Sequence, residues 1–339
     1  MTKRWAVATA ALTALVLTAA PVTAKSARPK PMTCTGTGRE RVCTVALPPG
    51  VRVRHNKVRV LLPAGYQQRS GARYPVVFML HGVGDDETAW TNPGRGNLAV
   101  LTASCRAIFV MPDGGSGKEA GWYSDWVDRR FQYETFHTQV LPNALDATFR
   151  TQGARGRAVA GMSMGGFGAL SYAARHPGMY RAAATFSAFA DTRFGAPLSG
   201  VGYELTGQND VYSTGAPSKG VWGDQTANAD VWAAHNPYDL AAKLRRLPVY
   251  LAGGTGTPGG THDDPSKLPN YATEAFLRVQ IDRLAAQLRG APGFVDARYT
   301  GGYHDWVYWR DALVDSFRTL MPALRASVRG CGAPVVRPA

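Results

Sequence analysis

A single serine framed by glycines, Gly161-x-Ser163-x-Gly165, sits inside the stretch AVAGMSMGGFGAL at residues 158–170. A serine hydroxyl becomes a nucleophile when an imidazole takes its proton and a carboxylate orients that imidazole. Four histidines follow Ser163 in the chain: His176, His235, His262 and His304. His176 lies in ARHPGMY, where a cation at a helix C-terminus accounts for it, and His235 and His262 lie in polar segments. His304 follows a Gly-Gly pair and directly precedes an amphipathic run, in YTGGYHDWVYW. A loop there can deliver an imidazole over the serine, so His304 is the candidate base. The carboxylate has three candidates. Asp263 and Asp264 come soonest after the apolar run LPVYLAGG. Glu274 lies further on, in line with Leu277, Ile281, Leu284 and Leu288 at 3-4-3-4 spacing, so it extends an apolar stripe. A carboxylate on such a stripe is costly unless a partner satisfies it, which a histidine N–H would do.

The serine frame predicts its own local structure. Residues 157–161 read as a strand and residues 164–177 as a helix, with Ser163 on the tight turn between them, the geometry of a nucleophile elbow. Strand and helix approach closely at such a turn, hence Gly161, Gly165 and Gly166. The helix N-terminus presents free backbone N–H groups, and the amide of Met164 is a candidate oxyanion donor. A second donor is expected after the strand YPVVFMLHG (74–82), where the amide of Val83 follows His81-Gly82.

The elements that must position these groups alternate. Continuous apolar runs, the mark of buried parallel strands, fall at 74–82, 107–115, 157–161, 182–189, 247–254 and 294–302, after strand-like alternation from Val51. Helical patterns lie between and after them, including TFHTQVLPNALDATF, YATEAFLRVQIDRLAAQLR and DWVYWRDALVDSFRTLMPAL. Alternating strand and helix imply an α/β fold: a mostly parallel central sheet covered on both faces. Residues 194–236 break the alternation with a long stretch rich in small and polar residues, expected to be a lid or binding excursion.

Composition bounds the rest. The chain has 339 residues, 45% apolar and 18% charged, enough for a substantial core. Its formal net charge of +14 comes mostly from scattered arginine, with no groove-reading motif, which argues against nucleic acid and leaves a solvated surface or an anionic cell-wall neighbour. Residues 1–24 carry Lys3 and Arg4, then a short Ala-rich apolar run and the small residues PVTA, the pattern of a signal peptide cleaved after Ala24. The run is too short for a membrane span. Residues 25–33 read as a linker and residues 34–339 as one domain. Export permits disulfides. Among Cys34, Cys43, Cys105 and Cys331, the first two flank a polar hairpin, which favours a local bridge and leaves Cys105 with Cys331. No Cys-x-x-Cys occurs, so no cysteine zinc or redox site is expected.

With these residues in place, the chain resembles the secreted antigen 85 mycolyltransferases and their esterase relatives, of the α/β-hydrolase superfamily. The similarity runs from about Val58 to Met321, through the Asp85-Asp86…Trp90 loop, WYSDW (122–126), GMSMGG (161–166), SAFAD (187–191), VWGD…HNP (221–237), GTGTP (254–258) and HDWVYW (304–309). The resemblance implies an α/β-hydrolase fold and places the family's acid on Glu274, in agreement with the stripe. It maps nucleophile and base to Ser163 and His304, oxyanion amides to Val83 and Met164, and substrate contacts to Asp191 and Trp306. Two departures stand out. His81-Gly82 replaces an Asp-Gly pair, as in ordinary esterases, and the excursion after the sixth strand is small and polar, unsuited to a mycolate-length acyl chain. The expectation is a secreted serine esterase or acyltransferase acting on a small-molecule, lipid or carbohydrate ester, without metal or organic cofactor. Its alternatives are acyl transfer to a trehalose-like sugar or glycerol, and a binding protein on a hydrolase scaffold.

Overall fold

A computed structural model describes residues 29–194 and 218–332. The expected signal peptide, with its cleavage point, and residues 195–217 of the excursion lie outside the described residues. The expected linker ends earlier than 33. Met32 is buried, its N–H donates to Thr148 Oγ1 at 2.8 Å, and Thr33 already opens the first strand.

Among the described residues, nine strands form one sheet. They are β1 (Thr33–Thr35), β2 (Glu40–Thr44), β3 (Lys57–Leu61), β4 (Val76–Leu80), β5 (Ile108–Pro112), β6 (Arg157–Met162), β7 (Ala183–Phe186), β8 (Val249–Gly253) and β9 (Val295–Arg298), in the order β1-β2-β3-β5-β4-β6-β7-β8-β9. The three pairings that join β1, β2, β3 and β5 are antiparallel and the remaining five are parallel. The alternation from Val51 yields only β3, because residues 51–56 lack ladder partners.

The parallel strands are apolar throughout because both faces are covered. Val76, Phe78 and Leu80 point into one layer, Val77 and Met79 into the other. The first layer receives helices α1 (Leu141–Thr148), α2 (Met164–Arg175) and, after the short α3 (Ala229–His235), the long α4 (Leu268–Leu288). The opposite face is covered by α5 (Trp306–Ala323), through Trp309, Leu313, Phe317 and Leu320 at helical spacing. The stripe on α4 is buried as the spacing predicts, from Glu274 through Leu277, Ile281 and Leu284 to Leu288. Two disulfides fasten the edges. Cys34–Cys43 bridges β1 and β2, and Cys105–Cys331 ties the segment after α5 to the residues before β5.

Parallel strands all present their carboxyl ends to one rim. The loops after β4, β6, β7, β8 and β9 therefore meet there, and that is where the candidate chemistry gathers.

Candidate active site

Ser163 ends β6 and begins α2 with φ 54° and ψ −122°, a conformation that strains a side-chain-bearing residue and persists only where packing enforces it. The enforcement comes from the flanking glycines. A Cβ on Gly161 would lie 2.2 Å from Gly165 O, one on Gly165 2.3 Å from Leu80 O, and one on Gly166 2.6 Å from Ala188 Cβ. The backbone hydrogen bond from Ser163 N–H to Phe186 O, 2.9 Å, locks the turn to the end of β7.

His304 arrives from the loop after β9. Its ring Nε2 lies 3.0 Å from Ser163 Oγ, and its Nδ1 lies 2.9 Å from Glu274 Oε2. Both backbone groups of His304 are held by one residue: its N–H donates to Asn270 O at 3.1 Å, and its carbonyl accepts from Asn270 Nδ2 at 2.9 Å. Asp305, next in the chain, caps α5 by accepting from Val307 N–H, so the imidazole is fixed between a clamp and a helix start.

Glu274 is fully buried. Its Oε1 accepts from Ser187 Oγ and from Gly254 N–H, each at 2.7 Å, while Oε2 faces the imidazole. A carboxylate so placed has every short contact filled by a donor, which offsets the cost of burying it. Ser187, at the end of β7 with φ 50°, also accepts from Trp309 Nε1 at 3.1 Å. The ring of Trp309 stands edge-on to the imidazole of His304, centroids 4.8 Å apart. Ser187, Trp309 and Asn270 thus hold Glu274 and His304 in position. None was singled out in the sequence, because each acts through a partner distant along the chain.

The other acid candidates do other work. Asp263 is exposed and accepts from Gly260 N–H and Tyr271 Oη–H, each at 3.0 Å; Asp264 caps the short turn before α4 through Ser266. The other histidines after Ser163 are also occupied elsewhere. His176 bonds Glu134 at 2.7 Å, His235 bonds Val231 O at 2.8 Å and His262 bonds Asp311 at 2.9 Å.

Val83 and Met164 border the serine. Met164 is the first residue of α2, so its N–H has no carbonyl one turn earlier in the helix. Val83 lines the same cavity as Ser163, and a Cβ on the preceding Gly82 would lie 3.2 Å from Ser163 Cβ. His81 anchors that loop: its Nε2 accepts from Gly114 N–H at 2.7 Å, and its Nδ1 donates to Gly82 O at 2.9 Å. Burial pushes the His81 pKa down, and the Asp113 carboxylate 3.7 Å away more than reverses that push. The hydrogen bonds decide the protonation state: an amide N–H already directed at Nε2 leaves no room for a second proton, so His81 is the neutral Nδ1–H tautomer.

The cavity over Ser163 has a volume of about 450 Å³. Trp122, Phe189, Trp306 and Trp309 supply apolar walls, and the Asp85–Arg95 pair lies at its polar side. Of the two residues expected to contact substrate, Trp306 lines this cavity and Asp191 does not. Asp191 is buried, its carboxylate takes Arg283 Nε at 3.0 Å and Asn236 Nδ2 at 2.9 Å, and its N–H donates to Gln280. In this structure it pins the chain after β7 to α4.

Known proteins match this chain along most of its length. A family model described as "Putative esterase" matches residues 53–320. Esterase Rv1288 of Mycobacterium tuberculosis (strain ATCC 25618 / H37Rv) is 41% identical over 66% of this chain and 48% of its own length. The chain thus spans about half the length of that relative. Diacylglycerol acyltransferase/mycolyltransferase Ag85B of Mycobacterium leprae (strain TN) is 30% identical over 71% of this chain and 74% of its own. Among solved structures, Mycobacterium tuberculosis MPT51 (FbpC1) superimposes with a TM-score of 0.60 at 22% identity, covering 83% of this chain and 97% of that one. That likeness bears on the fold alone, and the fold is the α/β-hydrolase arrangement.

Proposed function

The chain belongs to the esterase family matched over residues 53–320, and from that premise we propose that it is a serine ester hydrolase or acyltransferase working through an acyl-enzyme on Ser163. The observation that carries this reading is the unbroken path from Ser163 Oγ to His304 Nε2, 3.0 Å, and from His304 Nδ1 to Glu274 Oε2, 2.9 Å. Ser163 Oγ attacks the ester carbonyl carbon while His304 Nε2 takes its proton. The resulting oxyanion accepts hydrogen bonds from the amides of Val83 and Met164; each such donor contributes roughly 3 kcal/mol to the transition state in comparable sites. Collapse expels the alcohol, which receives the proton from His304. Water or an acceptor hydroxyl then attacks the acyl-enzyme by the same route in reverse. Glu274 holds the imidazole in the tautomer with hydrogen on Nδ1 and stabilises the imidazolium.

Trp306 and its aromatic neighbours would seat an apolar part of the substrate in the cavity. Likeness to a diacylglycerol acyltransferase/mycolyltransferase supports transfer to a hydroxyl acceptor as the second reading. Export, with a signal peptide removed after Ala24, is part of the proposal and is supported by the two disulfides.

The test is labelling with a fluorophosphonate, followed by hydrolysis of a chain-length series of nitrophenyl esters. Wild type should be labelled once per chain and Ser163→Ala not at all. An unlabelled wild type, or a labelled Ser163→Ala, would overturn the assignment. Adding trehalose or glycerol separates the two reactions: new acylated acceptor means transfer, and an unchanged product distribution means hydrolysis.

A further inference from the structure

Away from the serine, His55, Glu87 and Asp113 converge at the same rim of the sheet, with one ligand atom from each within 4.8 Å of the others. The topology brings them together. β3 runs antiparallel to β5, with Val58 opposite Pro112, so His55 just before β3 faces Asp113 just after β5. β4 lies on the other side of β5, and the loop that leaves it carries Glu87. His55 is exposed, Glu87 half-buried and Asp113 fully buried.

Asp113 is the unusual member. Both of its carboxylate oxygens are buried and neither has a hydrogen-bond partner. The nearest basic side chains do not supply one. Arg54 Nη1 stands 3.9 Å from Oδ1, beyond hydrogen-bond reach, and is itself buried without a partner. His81 Nε2 stands 3.7 Å away and is already taken by Gly114 N–H. A buried carboxylate left without donors is a costly feature that something normally satisfies.

We propose that His55, Glu87 and Asp113 form a binding site for a zinc-like divalent transition-metal ion. An imidazole nitrogen with two carboxylate oxygens is a donor set for the borderline metals and not for calcium or magnesium, which take oxygen alone. No cysteine takes part, so the site is invisible to cysteine spacing. Zinc bonds of about 2.0–2.2 Å place donor atoms within the 4.8 Å that bounds the separations here. His55 is exposed and Glu87 half-buried, which leaves their side chains room to turn inward toward the buried Asp113. The exposed side of His55 leaves a coordination position open to water. The ion would also couple Glu87, and with it the loop that carries Val83, to the end of β5. The proposal is independent of ester turnover.

The experiment is calorimetric titration of Zn²⁺ into the full chain after removal of metal with a chelator, with Tm followed in parallel. One equivalent should bind and raise Tm. His55→Ala and Glu87→Gln should each weaken binding at least ~10-fold, the lower bound for losing even an outer-shell partner, and should abolish the Tm rise. Both positions are solvent-accessible, so these variants test the site even if Asp113→Asn does not fold. His262→Ala, which removes the separate His262–Asp311 pair, should leave Zn²⁺ affinity unchanged. Absence of binding, or wild-type affinity in both His55→Ala and Glu87→Gln, would overturn the proposal. The first of those outcomes would mean that water bridges Arg54 and Asp113 instead.

Discussion

Replacing Glu274 with glutamine exchanges one oxygen for an amide nitrogen and, in the proposed relay, reverses one hydrogen bond. Oε1 accepts from both Ser187 Oγ–H and Gly254 N–H. An amide nitrogen cannot accept, so the glutamine must keep its oxygen on that side and turn its NH₂ toward His304 Nδ1. Two donors then face each other across 2.9 Å unless the imidazole gives up its Nδ1 hydrogen. It does so by adopting the other tautomer, which places the hydrogen on Nε2, against Ser163 Oγ. The serine then has no base, although no heavy atom has moved. The same tautomer exchange in the serine-protease triad lowers kcat about 10⁴-fold, close to 5.5 kcal/mol of barrier. For Glu274→Gln we expect a fall in kcat of that order on a nitrophenyl ester, with KM nearly unchanged and Tm within a few degrees of wild type. Asp263→Asn and Asp264→Asn, which alter only loop contacts, should stay within about threefold of wild type, the scale of a peripheral effect. If Glu274→Gln retains near-wild-type turnover, or either aspartate variant loses more, the acid has been misassigned.

Other perturbations probe the scaffold. Gly165→Ala would put its Cβ 2.3 Å from Leu80 O, a clash with backbone that no rotamer relieves; loss of both turnover and Tm is expected, and a stable, active Gly165→Ala would show that the elbow is not this tight. Burial raises the pKa of Glu134, but hydrogen bonds from His176, His235 and Arg175 outweigh it and hold the carboxyl well below its ordinary range. The stability Glu134 contributes is therefore full above its unfolded pKa near 4.5 and drains away as pH falls below that value. Urea midpoints measured from pH 6 down to pH 3 should fall less steeply for Glu134→Gln than for wild type, and parallel curves would refute the pairing. The disulfides differ in the loop they close, with sequence separations of 226 for Cys105–Cys331 and 9 for Cys34–Cys43. Chain entropy then assigns them roughly 5 and roughly 2.5 kcal/mol, so Cys331→Ser should lower the urea midpoint more than Cys34→Ser does.

What could be read from the sequence was what short-range pattern encodes. The elbow around Ser163 was legible because three glycines and a serine within six residues have a single steric explanation, now visible as the contacts that forbid a Cβ at Gly161, Gly165 and Gly166. His304 was legible because a Gly-Gly pair and a helix start bracket it. Glu274 was legible as an oddity on an apolar stripe, though the stripe alone left Asp263 and Asp264 open. Ser187 and Asn270 were not legible. Ser187 meets its carboxylate across 87 residues, and Asn270 meets its histidine across 34, so no local period records either contact. The pairing of Asp191 with Arg283, 92 positions away, was not legible for the same reason.

The long-range contacts explain how a carboxylate on a helix meets the imidazole as well as one on a loop could. Glu274 lies in the second turn of α4, yet both donors to its Oε1 come from strand ends, Ser187 just after β7 and Gly254 just after β8. Those strands are hydrogen-bonded neighbours in register, Phe186 beside Ala252. The position of the carboxylate is thus set by the rim of the sheet and only delivered by the helix. Ser163 is set by the same rim, through its N–H to Phe186 O. Glu274 and Ser163 therefore share β7 as a common reference. A change that shifts the end of β7 should misalign both at once. Ser187→Ala tests this. It deletes the donor to Glu274 and leaves Trp309 Nε1 without its acceptor, a loss of about 1–3 kcal/mol for each buried group left unpaired. Turnover should fall together with Tm, whereas Ser187→Cys, which keeps a donor, although a weak one, and adds no β-branch at φ 50°, should recover part of both. If Ser187→Ala lowered Tm but left kcat intact, the acid would be held by Gly254 alone and β7 would not be the shared reference.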